Sequence, residues 1–368
     1  MKIHEFSYTN KATGLCIKPI KFSDLNLLVG ASGVGKTLIL KALMDLKDIA
    51  NGKSISGVEW MVKFSISNGK GMFYLWEGSF EYVGTNIPPD FPERIAYENL
   101  YLNDERLINR ISNKIIYKGK ETPKLPSHMS IISLLNEEES IKSAFEGFYG
   151  IPKNFNLKTG RFTVSIVPPK YLEMYVTSES VLKYNLPLLY KLYILYKEQH
   201  SIFNKIKRNF VEIFDQVQDI KLEISEQSNS SQYVISFMIK EKGVSDWILQ
   251  DDISSGMFKT LVMISQLYLI TYDTVILIDE VENSLGINCI DSVLNLLITF
   301  DERDMQFIMT SHHPYIINAI EMKYWKIVYR KGGDIYTKDA SEYNLGKSHH
   351  EAFKQLIQLA DYKGGIKS

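Results

Sequence analysis

The sequence predicts an α/β protein built on a parallel sheet, and three observations carry that prediction. The segment Gly30-Ala31-Ser32-Gly33-Val34-Gly35-Lys36-Thr37 fits G-x-x-x-x-G-K-[ST] at every fixed position. It lies between an apolar run, Leu25-Asn26-Leu27-Leu28-Val29, and a helical one at 38–44. That strand–loop–helix order is what a phosphate-binding loop requires. Thr274-Val275-Ile276-Leu277-Ile278 is a continuous apolar run ending in Asp279-Glu280, the pattern of a strand buried on both faces of a parallel sheet. Alternating, aromatic-rich runs at 58–66 and 72–83 read as a hairpin. An antiparallel lobe is therefore expected beside the parallel core.

Taken in order, strands are expected at 3–8, 15–22 and 25–29, then the glycine-rich loop and its helix, which stops at Asn51-Gly52-Lys53. The hairpin strands are separated by Ser67-Asn68-Gly69-Lys70-Gly71, and Pro88, Pro89 and Pro92 punctuate the next boundary. Two short strands are expected between 95 and 116, around Leu102-Asn103-Asp104. Residues 136–149 have helical spacing of Ile141, Ala144, Phe145 and Phe148. From 181 to 214 the apolar positions form two successive helical sets. The first, Leu188, Leu189, Leu192, Leu195 and Tyr196, starts near Pro187, which suits a first turn. The second is Ile202, Phe203, Ile206, Phe210 and Ile213. Strands at 220–224 and 233–239 flank Ser228-Asn229-Ser230-Ser231. A helix at 260–269 and strands at 274–278 and 306–309 complete the pattern.

At 368 residues the chain is long enough for a large core and more than one lobe. A formal net charge of −1 provides no overall electrostatic footprint for nucleic acid. Cys16 and Cys289 lie far apart and show no zinc-like spacing, which suggests a reduced, cytoplasmic compartment. Met1-Lys2-Ile3-His4-Glu5 lacks the apolar core of a signal peptide. The longest apolar stretch, 261–278, contains Ser265, Gln266 and Asp273 and reads as a helix followed by a strand, so no membrane partner is expected.

The chemistry-bearing residues form four groups. In the glycine-rich loop, backbone N–H groups and a helix N-terminus converge on phosphates, Lys36 reaches the β- and γ-phosphates, and the Thr37 hydroxyl ligates Mg²⁺. At the end of the apolar strand, Asp279 holds Mg²⁺ through water, and Glu280 acts as general base on the attacking water. Asp252-Ile253-Ser254-Ser255-Gly256 opens a helix and offers hydroxyls and backbone N–H groups to an anion. By itself the same turn is an ordinary N-cap. Finally, Met309-Thr310-Ser311-His312-His313-Pro314 places a histidine just past a strand end, where it can donate to a γ-phosphate.

These four elements in this order resemble the ATP-binding-cassette (ABC) ATPases. Lys36 and Asp279 lie 243 positions apart, far more than in a transporter cassette. The pattern is similar to the compact cassettes of the SMC/OLD superfamily, among them the AAA-family ATPases of prokaryotic anti-phage systems such as Septu and PARIS. The resemblance implies a P-loop NTPase of ABC type with an antiparallel β lobe and a short helical insertion. It divides the chain into an N-terminal ATPase lobe (1–85), an inserted α/β and helical lid region (86–215), and a C-terminal half (216–368). It implies ATP and Mg²⁺ as cofactors, bound by Gly30, Ser32, Gly33, Val34, Gly35, Lys36 and Thr37. Asp279 then serves the metal, Glu280 the water, and His312, not His313, the switch role. Ser254, Ser255 and Gly256 form a signature turn that contacts the γ-phosphate held by the other protomer of a homodimer or higher homo-oligomer.

There are departures from that pattern. No glutamine precedes Gln199, so the glutamine expected between the two motif halves is absent or replaced. Glu98 resembles a glutamate at that station and is the third expected metal ligand. Asn283-Ser284-Leu285 resembles the D-loop, but Gly286 stands where relatives have histidine or aspartate. Ser255 and Met257 replace the glycine and glutamine of transporter signatures.

Other readings fit less well. A GTPase needs an N-K-x-D segment, which the sequence lacks. Only 56 residues follow His312, too few for a Toprim nuclease domain. His349-His350-Glu351 reads as a helix cap, and Lys205-Ile206-Lys207-Arg208 as a solvated helix face. The expected function is thus an ATP-driven switch over a separately encoded effector, a nuclease, in phage defence. The alternative is a DNA-engaging SMC-like ATPase for repair or chromosome maintenance. Such a clamp needs arms of many heptads, and 181–214 is too short for them.

Overall fold

A computed structural model of the chain describes residues 1–67, 71–82, 84, 93–152, 165–167, 177–182, 186–226, 233–270, 274–284, 287–301, 305–343, 346 and 349–358. The first part holds β1 (Lys2–Asn10), β2 (Leu15–Lys21), β3 (Leu25–Val29), α1 (Lys36–Ala50), β4 (Val58–Ile66) and β5 (Met72–Phe80). It continues with β6 (Ile95–Leu102), β7 (Glu105–Ile111), β8 (Lys114–Tyr117), β9 (Lys120–Glu121), α2 (Ile131–Leu134) and α3 (Glu139–Gly150). Then come β10 (Ser165–Val167), α4 (Ser178–Val181), α5 (Leu188–Lys197), α6 (Ser201–Ile213), β11 (Val217–Glu226), β12 (Tyr233–Glu241), β13 (Ile248–Leu249) and α7 (Ser255–Leu269). The chain closes with β14 (Val275–Ile278), α8 (Ile287–Asp301), β15 (Gln306–Thr310), α9 (Pro314–Ala319), β16 (Trp325–Lys331), β17 (Asp334–Asp339) and α10 (His349–Leu356).

The chain divides into two compact units. The first comprises Met1–Asn154, Tyr272–Val281 and Asp301–Ser368; the second comprises Phe155–Thr271 and Glu282–Phe300. The boundary expected at 85/86 therefore lies inside the first unit, where β5 and β6 pair as neighbours. The one expected at 215/216 lies inside the second.

In the first unit the described strands form one sheet in the order β14-β15-β3-β16-β17-β2-β1-β4-β5-β6-β7-β8-β9. Its parallel end is β14, β15, β3 and β16, as expected for the first three. Every residue of β3, β14 and β15 is buried, which is why their sequences are apolar without alternation. Two buried amides pin the register there. Gln306 accepts from the Ile3 N–H (2.8 Å) and donates to the carbonyls of Ile3 (2.7 Å) and Ser23 (2.9 Å). Asn26 accepts from the Ser23 N–H (2.9 Å) and donates to the carbonyls of Ser23 (2.6 Å) and Phe307 (3.1 Å). Fully satisfied networks of this kind favour one arrangement of the strand ends.

In the antiparallel end, β4 and β5 largely alternate buried and half-buried residues and are packed with rings. Trp60 meets Trp76 edge-on at 5.1 Å, and Phe148 of α3 closes on both Phe64 (5.1 Å) and Trp76 (5.2 Å). The Lys47 ammonium, at the end of α1, donates to the carbonyls of Tyr149 and Ile151 and ties α1 to the end of α3. The second unit packs α4–α7 with β11–β13 around Phe210, Phe237 and Phe258, among others. Among the described residues no helix is long and apolar enough to cross a membrane.

Candidate functional site

The glycine-rich loop leaves β3 and enters α1 under two steric demands. A Cβ on Gly30 would lie 2.5 Å from the Val328 carbonyl oxygen. One on Gly35, whose φ is +106°, would lie 2.2 Å from the Ile335 methyl carbon. The β16–β17 hairpin thus packs against the loop and admits only glycine at both points. Ser32 and Gly33 face solvent, whereas Val34 is buried as the loop's anchor. The first turn of α1 carries no acidic side chain and no side-chain cap, an arrangement suited to an anion. Lys36 is buried, and its ammonium donates to the carbonyls of Gly30 (2.7 Å) and Ala31 (2.9 Å).

The two halves of the motif set meet within the first unit. The Thr37 hydroxyl donates to both carboxylate oxygens of Asp279, at 2.9 and 3.0 Å. Asp279 Oδ1 also accepts from the Thr310 hydroxyl at 2.8 Å. Thr310 Oγ1 in turn accepts from the Glu280 N–H at 2.7 Å. Glu280 has φ +51°, a left-handed conformation that costs a glutamate about 1–3 kcal/mol and is found where surrounding structure enforces it. Sequence reasoning placed Thr310 in the switch segment but assigned it no role.

His312 follows β15 and is exposed. Its neighbour His313 is used locally: the ring Nδ1 accepts from the Tyr315 N–H (3.3 Å) and caps α9, with Pro314 in the first turn. In the second unit Ser254 caps α7, accepting from the Met257 N–H at 3.3 Å. Ser254 and Ser255 are exposed, and the Gly256 carbonyl accepts from Thr260. Val281–Ser284 form a short 3-10 turn after Glu280, while Leu285 and Gly286 lie outside the described residues. On α6, Lys207 pairs with Asp219 and Arg208 with Glu212.

Glu98 requires a correction. It is fully buried in β6, opposite Arg110 in β7. Its oxygens accept from Ser130 Oγ (2.5 Å), Trp76 Nε1 (2.9 Å), the Ile131 N–H (3.0 Å) and Arg110 (3.4 Å). Burial pushes its carboxyl above the usual carboxylate range, against the pull of Ser130, Ile131, Arg110 and Trp76. A carboxylate enclosed by four donors is a core tie between β6, β7 and α2 and does not serve as a metal ligand. Glu98→Ala should therefore cost about 3–5 kcal/mol of stability, because Arg110 is left buried without its partner. Denaturant unfolding measures this. Glu98→Gln should leave the Mg²⁺ dependence of turnover unchanged, and a shifted Mg²⁺ requirement would restore the metal role.

The residues present fit a Mg²⁺–nucleotide. The loop has a glycine cradle, an uncapped helix start and a buried ammonium. The cation side has one hydroxyl and one carboxylate. Among the described residues no group of three or more His, Cys, Asp or Glu forms a metal cage. Mg²⁺ characteristically takes one or two carboxylates and fills its remaining positions with water and phosphate oxygens.

The fold and this strand–loop–helix site define a P-loop NTPase of ABC type. Residues 129–318, a little over half of the chain, match the model of the family described as "AAA domain, putative AbiEii toxin, Type IV TA system", and the chain belongs to that family. The matched span contains Ser254, Asp279, Glu280 and His312; the glycine-rich loop precedes it. An SMC head solved with the C-terminal winged-helix domain of ScpA has the same fold. It is 14% identical, with 92% of this chain and 97% of that one covered and a TM-score of 0.51. Two further SMC heads align less closely. That of Thermotoga maritima is 13% identical over 92% of this chain and 99% of its own (TM-score 0.46). One from Pyrococcus furiosus, with an extended coiled coil and the C-terminal domain of ScpA, is 15% identical over 97% and 98% (TM-score 0.43). No curated protein matches the sequence.

Proposed function

We propose that this chain is a Mg²⁺-dependent ATP hydrolase that acts in the cytoplasm as an ATP-driven dimerising switch over a separately encoded effector, a nuclease, in bacterial anti-phage defence. The observation that carries the reading is the contact between Thr37 and Asp279, a hydroxyl and a carboxylate 242 positions apart that meet beside one phosphate loop. Lys36 and the loop amides bind the phosphates, Thr37 and Asp279 hold the metal, Glu280 accepts a proton from the attacking water, and His312 donates to the γ-phosphate. Mg²⁺ held there would supply neutralisation of the phosphate charge. One chain offers one glycine-rich loop and one exposed Ser254-Ser255-Gly256 turn, so a two-fold, head-to-tail pair would complete two sites. ATP then favours the closed pair, and hydrolysis releases it. The defence role draws support from a family description that names a toxin of a type IV toxin–antitoxin system. Helices of ten and thirteen residues, α5 and α6, leave no arm for a chromosome clamp among the described residues.

The test compares the solution mass of Glu280→Gln with ATP, with ADP and without nucleotide, beside Glu280→Gln/Ser254→Arg and Glu280→Gln/Ser254→Ala. Both Ser254 substitutions remove the helix cap, worth about 0.5–2 kcal/mol, but only arginine adds bulk. ATP should double the mass, and arginine alone should block that while ATP binding persists. If arginine changes nothing, the turn does not act in trans. Co-expression with the product of an adjoining nuclease gene should protect a phage-challenged host, and Lys36→Ala should abolish the protection.

A further inference from the structure

We propose that Thr310 is a positioning residue for hydrolysis, holding Glu280 in its left-handed conformation and tying it to the metal-side carboxylate. The inference rests on the base role proposed above for Glu280. One hydroxyl, that of Thr310, has two partners of opposite kind. A backbone N–H can only donate and an ionised carboxylate can only accept. The Thr310 hydroxyl therefore has one possible polarity: its proton points at Asp279 Oδ1 (2.8 Å) and its lone pair receives the Glu280 N–H (2.7 Å). Thr37, Asp279, Thr310 and Glu280 form one continuous chain of hydrogen bonds.

The strands make that bridge rigid. β14 and β15 are parallel, with Ile278 opposite Met309, so the next residues, Asp279 and Thr310, emerge side by side. Thr310 is completely buried and ends a strand with no exposed residue. Its branched Cβ restricts χ1, so the hydroxyl has few alternatives. On the other side, Asp279 and Glu280 lie just past the end of β14, where the chain turns into the 3-10 segment Val281–Ser284. Glu280 has φ +51° there, a conformation usually left to glycine or asparagine. Its amide, bonded to Thr310, ties this peptide plane to the next strand. Loss of that bond frees the backbone to relax towards ordinary φ, and the side chain that it carries moves with it.

Thr310→Val preserves shape and removes both bonds; Thr310→Ser restores the hydroxyl. Charge-assisted bonds of this type correspond to roughly 10–100-fold in rate when lost. Thr310→Val should lower kcat by about that factor, with the dissociation constant for a fluorescent ATP analogue within about threefold of wild type. Thr310→Ser should recover most of the rate. In a Glu280→Gln background, Thr310→Val should cost little more, because a positioning residue has nothing left to position. Should Thr310→Val not fold, Thr310→Ala takes its place in the same comparison with Thr310→Ser. Unchanged kcat in Thr310→Val, or a loss fully explained by weaker nucleotide binding and a lower melting temperature, overturns the inference. Wild-type turnover by Glu280→Gln itself overturns the base reading instead, so the two failures are distinct.

Discussion

Lys36→Ala is expected to remove measurable ATP binding. The Lys36 ammonium is buried beside the loop and now rests on two carbonyl oxygens, those of Gly30 and Ala31. A phosphate oxygen is a far stronger partner for it than a neutral carbonyl. At about 4 Å and an effective dielectric near 20, one unit-charge pair corresponds to roughly 4 kcal/mol, or about a thousandfold in affinity. Alanine also leaves the two carbonyls without their donor, so the loop loses internal support at the same step. The fold itself should persist, because Val34, Ile39 and Leu43 anchor the loop and helix in the core. Titration with a fluorescent ATP analogue, next to a melting curve, separates the two effects. Near-wild-type affinity in a folded Lys36→Ala chain would show that the nucleotide is held elsewhere.

The parallel core was legible because burial on both faces leaves a plain mark: β3, β14 and β15 are apolar runs without alternation. The glycine-rich loop was legible because sterics restrict its positions, and the structure gives the reasons at Gly30 and Gly35. What escaped depends on register. The β16–β17 hairpin carries no catalytic motif and was not expected from the sequence; Gly332-Gly333 between its strands is a turn signal that could have marked it. Its importance lies in Val328 and Ile335 pressing on the loop, which is a contact between distant parts of the chain. Glu98 looks the same in sequence whether it faces a metal or the core. Only the β6–β7 register, which sets it opposite Arg110, decides between them. Thr310 is a threonine at the end of an apolar strand, unremarkable until β15 is laid against β14. Motifs report the residues that chemistry requires; the residues that aim them follow from strand pairing, which no single segment encodes.

Glu280→Gln should retain ATP binding and lose about 10²–10⁴-fold in turnover, the range associated with a positioned general base. The amide is nearly isosteric with the carboxylate, so the substitution tests proton acceptance and little else. Backbone geometry gives a second reason to expect a clean separation. The N–H that bonds Thr310 belongs to the main chain and survives the change. The left-handed φ is equally open to glutamine at the same modest cost. The Thr37–Asp279 contact on the metal side involves neither atom that is altered. Binding and chemistry should therefore part: an unchanged dissociation constant with a collapsed kcat. That combination marks an interaction made only in the transition state. Single-turnover measurement with radiolabelled ATP would locate the loss in the chemical step and not in product release. Were Glu280→Gln to hydrolyse ATP at the wild-type rate, the proton would have to leave through another group, and the strained conformation of Glu280 would need a different explanation.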